Sequence, residues 1–258
     1  MTTQREKADS FSDLHQNGSP LILVNVWDAG SARMIEQAGA KAIATSSWAV
    51  AAAHGFADGE KLPFELALAN LDRIVKSVAL PVTIDLEAGY ATNLSELKEN
   101  IEQVIAAGAV GINFEDQIID GDKLSAIEDQ CTRIAAIRET AKKSAVPLFI
   151  NARTDVFLKT YPAKHDDVQL KEAARRAAAY AEAGASGLFA PGLRDTELIK
   201  KLCDLSPVPV NIMVLPDTPR NKVLAQLGVV RISYGAGAYY QMSEALKEAG
   251  REAFSGIS

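Results

Sequence analysis

Acidic residues close short apolar runs at three points along this 258-residue chain: Asp85-Leu86-Glu87, Glu115-Asp116 and Asp155. Each run is followed by a stretch that reads as helix. Carboxylates at successive strand ends are how a parallel β/α barrel gathers oxygen ligands for a hard cation. Side chains two apart on a strand share a face, so Asp85 and Glu87 can reach one cation or its waters while Leu86 packs the other way. The alternative for Asp85 is a cap on the next helix. Glu115 and Asp116, at the end of the following run, favour the cation, because like charges gathered at one mouth repel unless something offsets them. Mg²⁺ suits such an all-oxygen set, with Mn²⁺ as a substitute. No cluster of His or Cys supports zinc.

Around these acids lie groups suited to an anionic ligand. Asn151, Arg153 and Asp155 alternate along one run, which places them on one face. A guanidinium there suits bidentate binding of a substrate carboxylate, or an ion pair with a mouth acid, and the two roles can coexist. Ser46 and Ser47 follow the second run and offer hydroxyls and amides to a carboxylate or a helix cap. The segment from Ala53 to Glu60, rich in small residues, reads as a mobile lid carrying His54 and the acid Asp58. Ser233-Tyr234-Gly235-Ala236-Gly237 could cradle a phosphate or simply pack tightly. Cys131 and Cys203 fall in predicted helices and read as small buried apolar groups.

These residues need a scaffold that brings distant strand ends together. Eight apolar runs, 21–26, 42–45, 82–86, 110–114, 148–152, 187–190, 208–213 and 229–233, alternate with amphipathic stretches, and their near-continuous apolarity suits strands buried on both faces. Three of the helical stretches end in the phrase Ala-Gly-Ala, at Gly39, Gly108 and Gly184, and Gly228 marks a fourth joint. Glycine there can take the left-handed conformation that ends a helix. Eight such units predict a (β/α)₈ TIM barrel spanning residues 1–258 as one domain, with residues 1–20 a leading helix and turn. A net charge of −6 with mixed signs argues against nucleic acid, and no apolar run is long enough for a membrane span. The N-terminus lacks the apolar core of a signal peptide, and two distant cysteines suggest no disulfide framework, so the cytoplasm is expected.

Taken together, the residues resemble the isocitrate lyase/phosphoenolpyruvate mutase superfamily from about Leu21 to the C-terminus. Asp85, Glu87, Gly89 and Tyr90 match its Asp-x-Asp/Glu-x-Gly-Tyr/Phe-Gly pattern, with Ala91 in place of the last glycine. Ser46, Asp58, Phe114-Glu115-Asp116, Ala152-Arg153-Thr154-Asp155 and Asn211 match further signatures. The resemblance implies a Mg²⁺ site at Asp85, Glu87 and Glu115, Asp58 contributed by the lid, and Arg153 gripping a small carboxylate with Ser46, Ser47 and Asn211. It also implies a homodimer or homotetramer that exchanges a C-terminal helix. Three departures bear on the reaction, the first being Phe189-Ala190-Pro191-Gly192 where the isocitrate and methylisocitrate lyases place a glutamate after the sixth strand. The Lys-Lys/Arg-Cys-Gly-His loop of the isocitrate and methylisocitrate lyases is replaced by Asp116–Lys123, and the Lys-x-Asn-Ser loop of the mutases is missing. The expected activity is cleavage of a carbon–carbon bond in a 2-oxo or 2-hydroxy di- or tricarboxylate, with a water or Tyr90 as proton donor. The alternatives are a P–C bond mutase or hydrolase and a carboxylate-binding barrel without catalysis.

Overall fold

A computed structural model describes residues 2–255. Eight short strands form one parallel sheet: β1 (Leu21–Leu23), β2 (Ile43–Ala44), β3 (Val82–Asp85), β4 (Gly111–Glu115), β5 (Phe149–Arg153), β6 (Gly187–Phe189), β7 (Val210–Met213) and β8 (Arg231–Ser233). Their order, β1-β8-β7-β6-β5-β4-β3-β2, runs round a TIM barrel, with β1 and β2 as its two ends. A single parallel bridge, Val26 to Thr45, joins those ends. The expected first strand to Val26 stops at Leu23, and Asn25 supplies side-chain bonds where the ladder lapses. Its Nδ2 donates to Thr45 O at 2.8 Å, and its Oδ1 accepts from the amides of Tyr234 and Gly235.

The connecting helices begin and end where the sequence chemistry puts them. Asp28, Asn93, Asp166 and Asp195 each cap a helix by accepting a backbone N–H of its first turn. These helices are α2 (Ala29–Gln37), α5 (Leu94–Ala106), α7 (Asp167–Glu182) and α8 (Thr196–Leu205). All four joint glycines have positive φ, and at Gly108 a Cβ would stand 2.7 Å from Val75 Cγ1. A helix the sequence reading passed over, α3 (Ser47–Ala53), follows β2 directly. Its run Trp48-Ala49-Val50-Ala51-Ala52-Ala53 is too short and too uniformly apolar to show helical periodicity.

The leading segment closes the floor of the barrel. Helix α1 (Gln4–Asp13) starts at a Thr3 capping box shared with Glu6 and buries Ala8 and Phe11. The Phe11 ring meets Phe149 edge-on at 5.5 Å, and His15 stacks on Phe149 at 4.1 Å while meeting Phe11 edge-on at 5.0 Å. Gly111 makes room for this plug, since a Cβ there would lie 3.0 Å from Phe11 and 2.9 Å from Thr83 Oγ1.

At the other end of the chain, α10 (Gly237–Ser255) buries none of its residues. Its root is anchored by aromatic contacts of Tyr239 with Trp27 and of Tyr240 with Trp48. Beside β1, a cleft of about 540 Å³ lined by Leu14, Ile22, Val24 and Ile35 leaves apolar surface uncovered. Among the described residues, no helix is long and apolar enough to cross a membrane.

Candidate active site

At the carboxyl ends of β3, β4 and β5 the predicted acids meet. Asp85, the last residue of β3, is fixed from two directions: its amide donates to Thr45 Oγ1 at 2.9 Å, and its Oδ2 accepts from the Ser47 hydroxyl at 2.8 Å. Its Oδ1 is buried and has no protein partner. A buried carboxylate oxygen left without a donor is unfavourable unless a ligand completes it.

Glu87 reaches the site by a different route from the one expected. Because β3 ends at Asp85, strand alternation does not carry Glu87 to the face of Asp85. Glu87 lies in a turn with φ +50°, followed by Gly89 at +94° and Tyr90 at +52°. Gly89 is obligatory, since a Cβ would stand 2.6 Å from Leu97 Cδ1. Both Glu87 oxygens are engaged, Oε2 by the Glu60 amide at 2.8 Å and Oε1 by the Tyr90 hydroxyl at 2.9 Å. Burial, and then repulsion by Asp85 and Asp58, push the Glu87 carboxyl up to about 7. Burial, then the charge and hydrogen bond of Glu87, with Glu60 and Asp85 behind, hold the Tyr90 phenol well above its ordinary range.

Glu115 and Arg153 form a buried pair across β4 and β5, Nη1 to Oε2 at 2.7 Å. Arg153 is also held from behind by Asp155, with Nε to Oδ1 at 2.6 Å and Nη2 to Oδ2 at 2.9 Å. Asp155 is placed in turn by Asp116, whose Oδ1 accepts the Asp155 amide while its Oδ2 accepts from Arg176 Nη1 and the Tyr180 hydroxyl. Burial raises the Glu115 carboxyl, Arg153 opposes that, and Asp155, Asp85 and Glu87 add to it. Three N–H groups of Arg153 are engaged by acids, which leaves donors on Nη1 and Nη2 for a carboxylate.

The other predicted residues lie close by with distinct partners. Ser46 is buried and caps α3 by accepting from the Ala49 amide, so the capping alternative is realised there. Asn211 on β7 accepts from the Ser233 hydroxyl, and its buried Nδ2 has no partner. Asp58 sits on the rim, where partial desolvation and then repulsion by Asp85 raise its carboxyl. His54 bonds only to Val50 O at the end of α3. The Ser233–Gly237 loop is not free to cradle phosphate through Tyr234 and Gly235, because Asn25 takes both amides.

Among the described residues, no three His, Cys, Asp or Glu side chains form a ready-made metal cage. The predicted set of Asp85, Glu87 and Glu115 is thus gathered but not preassembled: both Glu87 oxygens are taken by protein donors, Glu115 gives Oε2 to Arg153, and Asp85 keeps a fully buried oxygen without a protein partner. That oxygen, amid acids that raise one another's proton affinity, fits a hard cation that leaves most of its coordination to water and substrate.

The sequence reading missed the supports of this site. Arg231 is buried on β8 with Nη2 on Asn113 Oδ1 at 3.1 Å, and Asn151 donates to the same oxygen at 2.9 Å. A charge inside the apolar run Val229-Val230-Arg231-Ile232 was the available signal. Glu60, Asn113, Arg176 and Tyr180 carried none, since each is an ordinary residue of a loop, strand or helix until the chain is folded.

Comparison with known proteins accords with this architecture. The profile of the phosphoenolpyruvate phosphomutase family matches residues 11–254. The crystal structure of a candidate phosphonomutase from Burkholderia cenocepacia J2315 superposes with a TM-score of 0.95 at 46% identity, covering 97% of this chain and all of that one. The 2-methylisocitrate lyase of Escherichia coli K12 is 29% identical over 87% of this chain and 75% of its own length. The oxaloacetate decarboxylase of Pseudomonas entomophila L48 is 27% identical over 90% and 79%. The chain belongs to the phosphoenolpyruvate phosphomutase family, within the isocitrate lyase/phosphoenolpyruvate mutase superfamily of lyases and mutases.

Proposed function

We propose that this enzyme is a lyase that cleaves a carbon–carbon bond of a small 2-oxo or 2-hydroxy di- or tricarboxylate, with Mg²⁺ as its cofactor and Mn²⁺ as a substitute. The observation that carries this reading is the unpartnered, buried Oδ1 of Asp85 set opposite Arg153 in a ring of acids. Asp85 would hold the cation directly, with Glu87 and Glu115 near enough to act on it or its waters. A bound divalent cation supplies Lewis-acid polarisation of the substrate's oxo and carboxylate oxygens.

The chain's own groups supply the rest. The outward N–H groups of Arg153 and the free Nδ2 of Asn211 would orient a substrate carboxylate, as planar bidentate and amide donors do. Ser47 fixes the rotamer of Asp85, and Ser46 fixes the helix that carries Ser47. Asp58, raised in proton affinity and carried on the rim loop, is suited to hold or deliver a proton at the reacting carbon. Tyr90 is a poor donor here because its hydroxyl is already committed to Glu87, so in the absence of a cysteine loop the task falls to Asp58 or to a water.

The test is pyruvate release from oxaloacetate and from methylisocitrate, with and without EDTA, in the wild type and in Asp85→Ala. Release that needs the metal and disappears in the variant supports the proposal, and metal-independent release overturns it. The likeness to the Burkholderia protein favours a second reading, rearrangement or hydrolysis of a P–C bond. Phosphorus NMR of phosphonopyruvate with the enzyme decides it, since an unchanged signal excludes that chemistry. We also propose that α10 packs on another subunit, because beyond the aromatic contacts at its root none of its described residues is fully buried, while apolar surface beside β1 stays open. Subunits associated this way would sediment as a dimer or tetramer, and removal of residues 238–258 would return them to monomers. The cytoplasm remains our assignment for the enzyme.

A further inference from the structure

Three segments meet at one side of the mouth and tie a knot that the catalytic reading does not use. The rim loop contributes Glu60, the turn after β3 contributes Glu87 and Tyr90, and the loop after β4 contributes Asp120. The Glu60 amide donates to Glu87 Oε2 at 2.8 Å, and the Glu60 carboxylate answers by accepting the Tyr90 amide through Oε1 at 2.7 Å. The Tyr90 hydroxyl closes the circuit on Glu87 Oε1 at 2.9 Å. Next in sequence, Lys61 forms an ion pair with Asp120 at 2.6 Å, and Lys159 donates to the neighbouring Gly121 O at 2.9 Å.

The backbone at this knot is under strain. Six described residues other than glycine have positive φ, and four of them are Glu60 (+57°), Glu87 (+50°), Tyr90 (+52°) and Asp120 (+60°). Left-handed backbone is unfavourable for side chains that carry a Cβ, and it persists only where surrounding bonds overdetermine it. Here the same residues that bear the strain make the bonds that hold it. The segment from Gln117 to Leu124, which stands where related lyases carry their cysteine loop, is itself a short hairpin closed by Ile118 N on Lys123 O and Ser125 N on Asp116 O.

We propose that Glu60 is a positioning residue that fastens the Asp58 loop over the mouth, with the Glu87–Tyr90 turn as its receptor and Lys61–Asp120 as a second tie to the β4 hairpin. The inference rests on Asp58 serving the active site, two residues along the same loop. It assigns Glu87 a task beyond the cation: with both oxygens bound to the knot, it keeps the rim loop seated. The exposed Lys61–Asp120 pair is a weak tie by itself, and the reciprocal Glu60 bonds at a half-buried junction carry the fastening.

The discriminating variants are Glu60→Gln and Glu60→Ala. A carboxamide oxygen still accepts the Tyr90 amide, whereas a methyl group cannot. Amide hydrogen exchange, read by mass spectrometry across residues 57–62 and 87–92, is expected to accelerate about tenfold or more in the alanine variant at both segments. In the glutamine variant exchange stays near the wild-type rate. Exchange across β5 serves as the internal control and is unchanged in both. If the alanine variant is as protected as the wild type at Tyr90, or if glutamine is no better than alanine, the fastening does not exist. This readout needs no substrate, so it stands apart from the assignment of the reaction. Where turnover of oxaloacetate is measurable, Glu60→Ala lowers kcat and Glu60→Gln keeps it near the wild-type value, and equal kcat in all three proteins would refute the link to Asp58.

Discussion

Glu87 offers the sharpest quantitative test of the site's electrostatics, through its replacement by glutamine. In the folded protein, burial and the acids beside it lift this carboxyl from its ordinary 4.5 to about 7. A shift of that size corresponds to about 3 kcal/mol between the two protonation states. Because the folded value is the higher one, the neutral form is the favoured one in the native protein. Its contribution to stability is complete below about pH 4.5, falls as the pH rises through the interval, and is gone above about 7. Glutamine removes the ionisation and can keep both bonds, its carbonyl oxygen accepting from the Glu60 amide and its NH₂ donating to the Tyr90 hydroxyl oxygen. In EDTA, Glu87→Gln is therefore expected to be more stable than the wild type by about 3 kcal/mol at pH 8 and by under about 1 kcal/mol at pH 5. Urea unfolding of both proteins at the two pH values measures the difference directly. A difference independent of pH would show that Glu87 is not held in a charge-disfavouring environment, and the account of a self-repelling acid ring would fail with it.

Two further substitutions probe the supports. Arg176→Met leaves the fully buried Asp116 carboxylate facing Tyr180 without its cation, and should lower stability by about 3–5 kcal/mol by denaturant unfolding; a loss under about 1 kcal/mol would mean that Asp116 does not depend on it. Phe11→Ala opens the floor of the barrel and should cost about 3–5 kcal/mol in the same assay, whereas a near-neutral result would show that α1 is not part of the core.

The barrel was legible in the sequence because its signals are local and repeated. Buried parallel strands read as apolar runs, and the glycines that end four of the helices have their own conformational reason, so the eight units could be placed with only small errors at their edges. The acids of the mouth were legible for a related cause: carboxylates at strand ends are conspicuous against apolar neighbours. Less visible were short elements whose pattern has no period, such as α3, and the early end of β1, where Asn25 replaces ladder bonds with side-chain ones.

What the sequence determined by itself, then, was the barrel and which residue types crowd its mouth, since both follow from neighbours along the chain. The partner of each charge was decided only by tertiary structure. Arg153 lies two residues from Asp155, yet whether it also meets Glu115 depends on the register of β4 against β5. Glu87 comes to the mouth through a left-handed turn, and one of its two bonds comes from Glu60, twenty-seven residues earlier. Asp85 keeps its unpartnered oxygen while Ser47 of α3 and Thr45, just past β2, satisfy its other groups. Hydrogen bonds and ion pairs are short-ranged and directional, so their pairing is fixed when the strands close into a ring and not before.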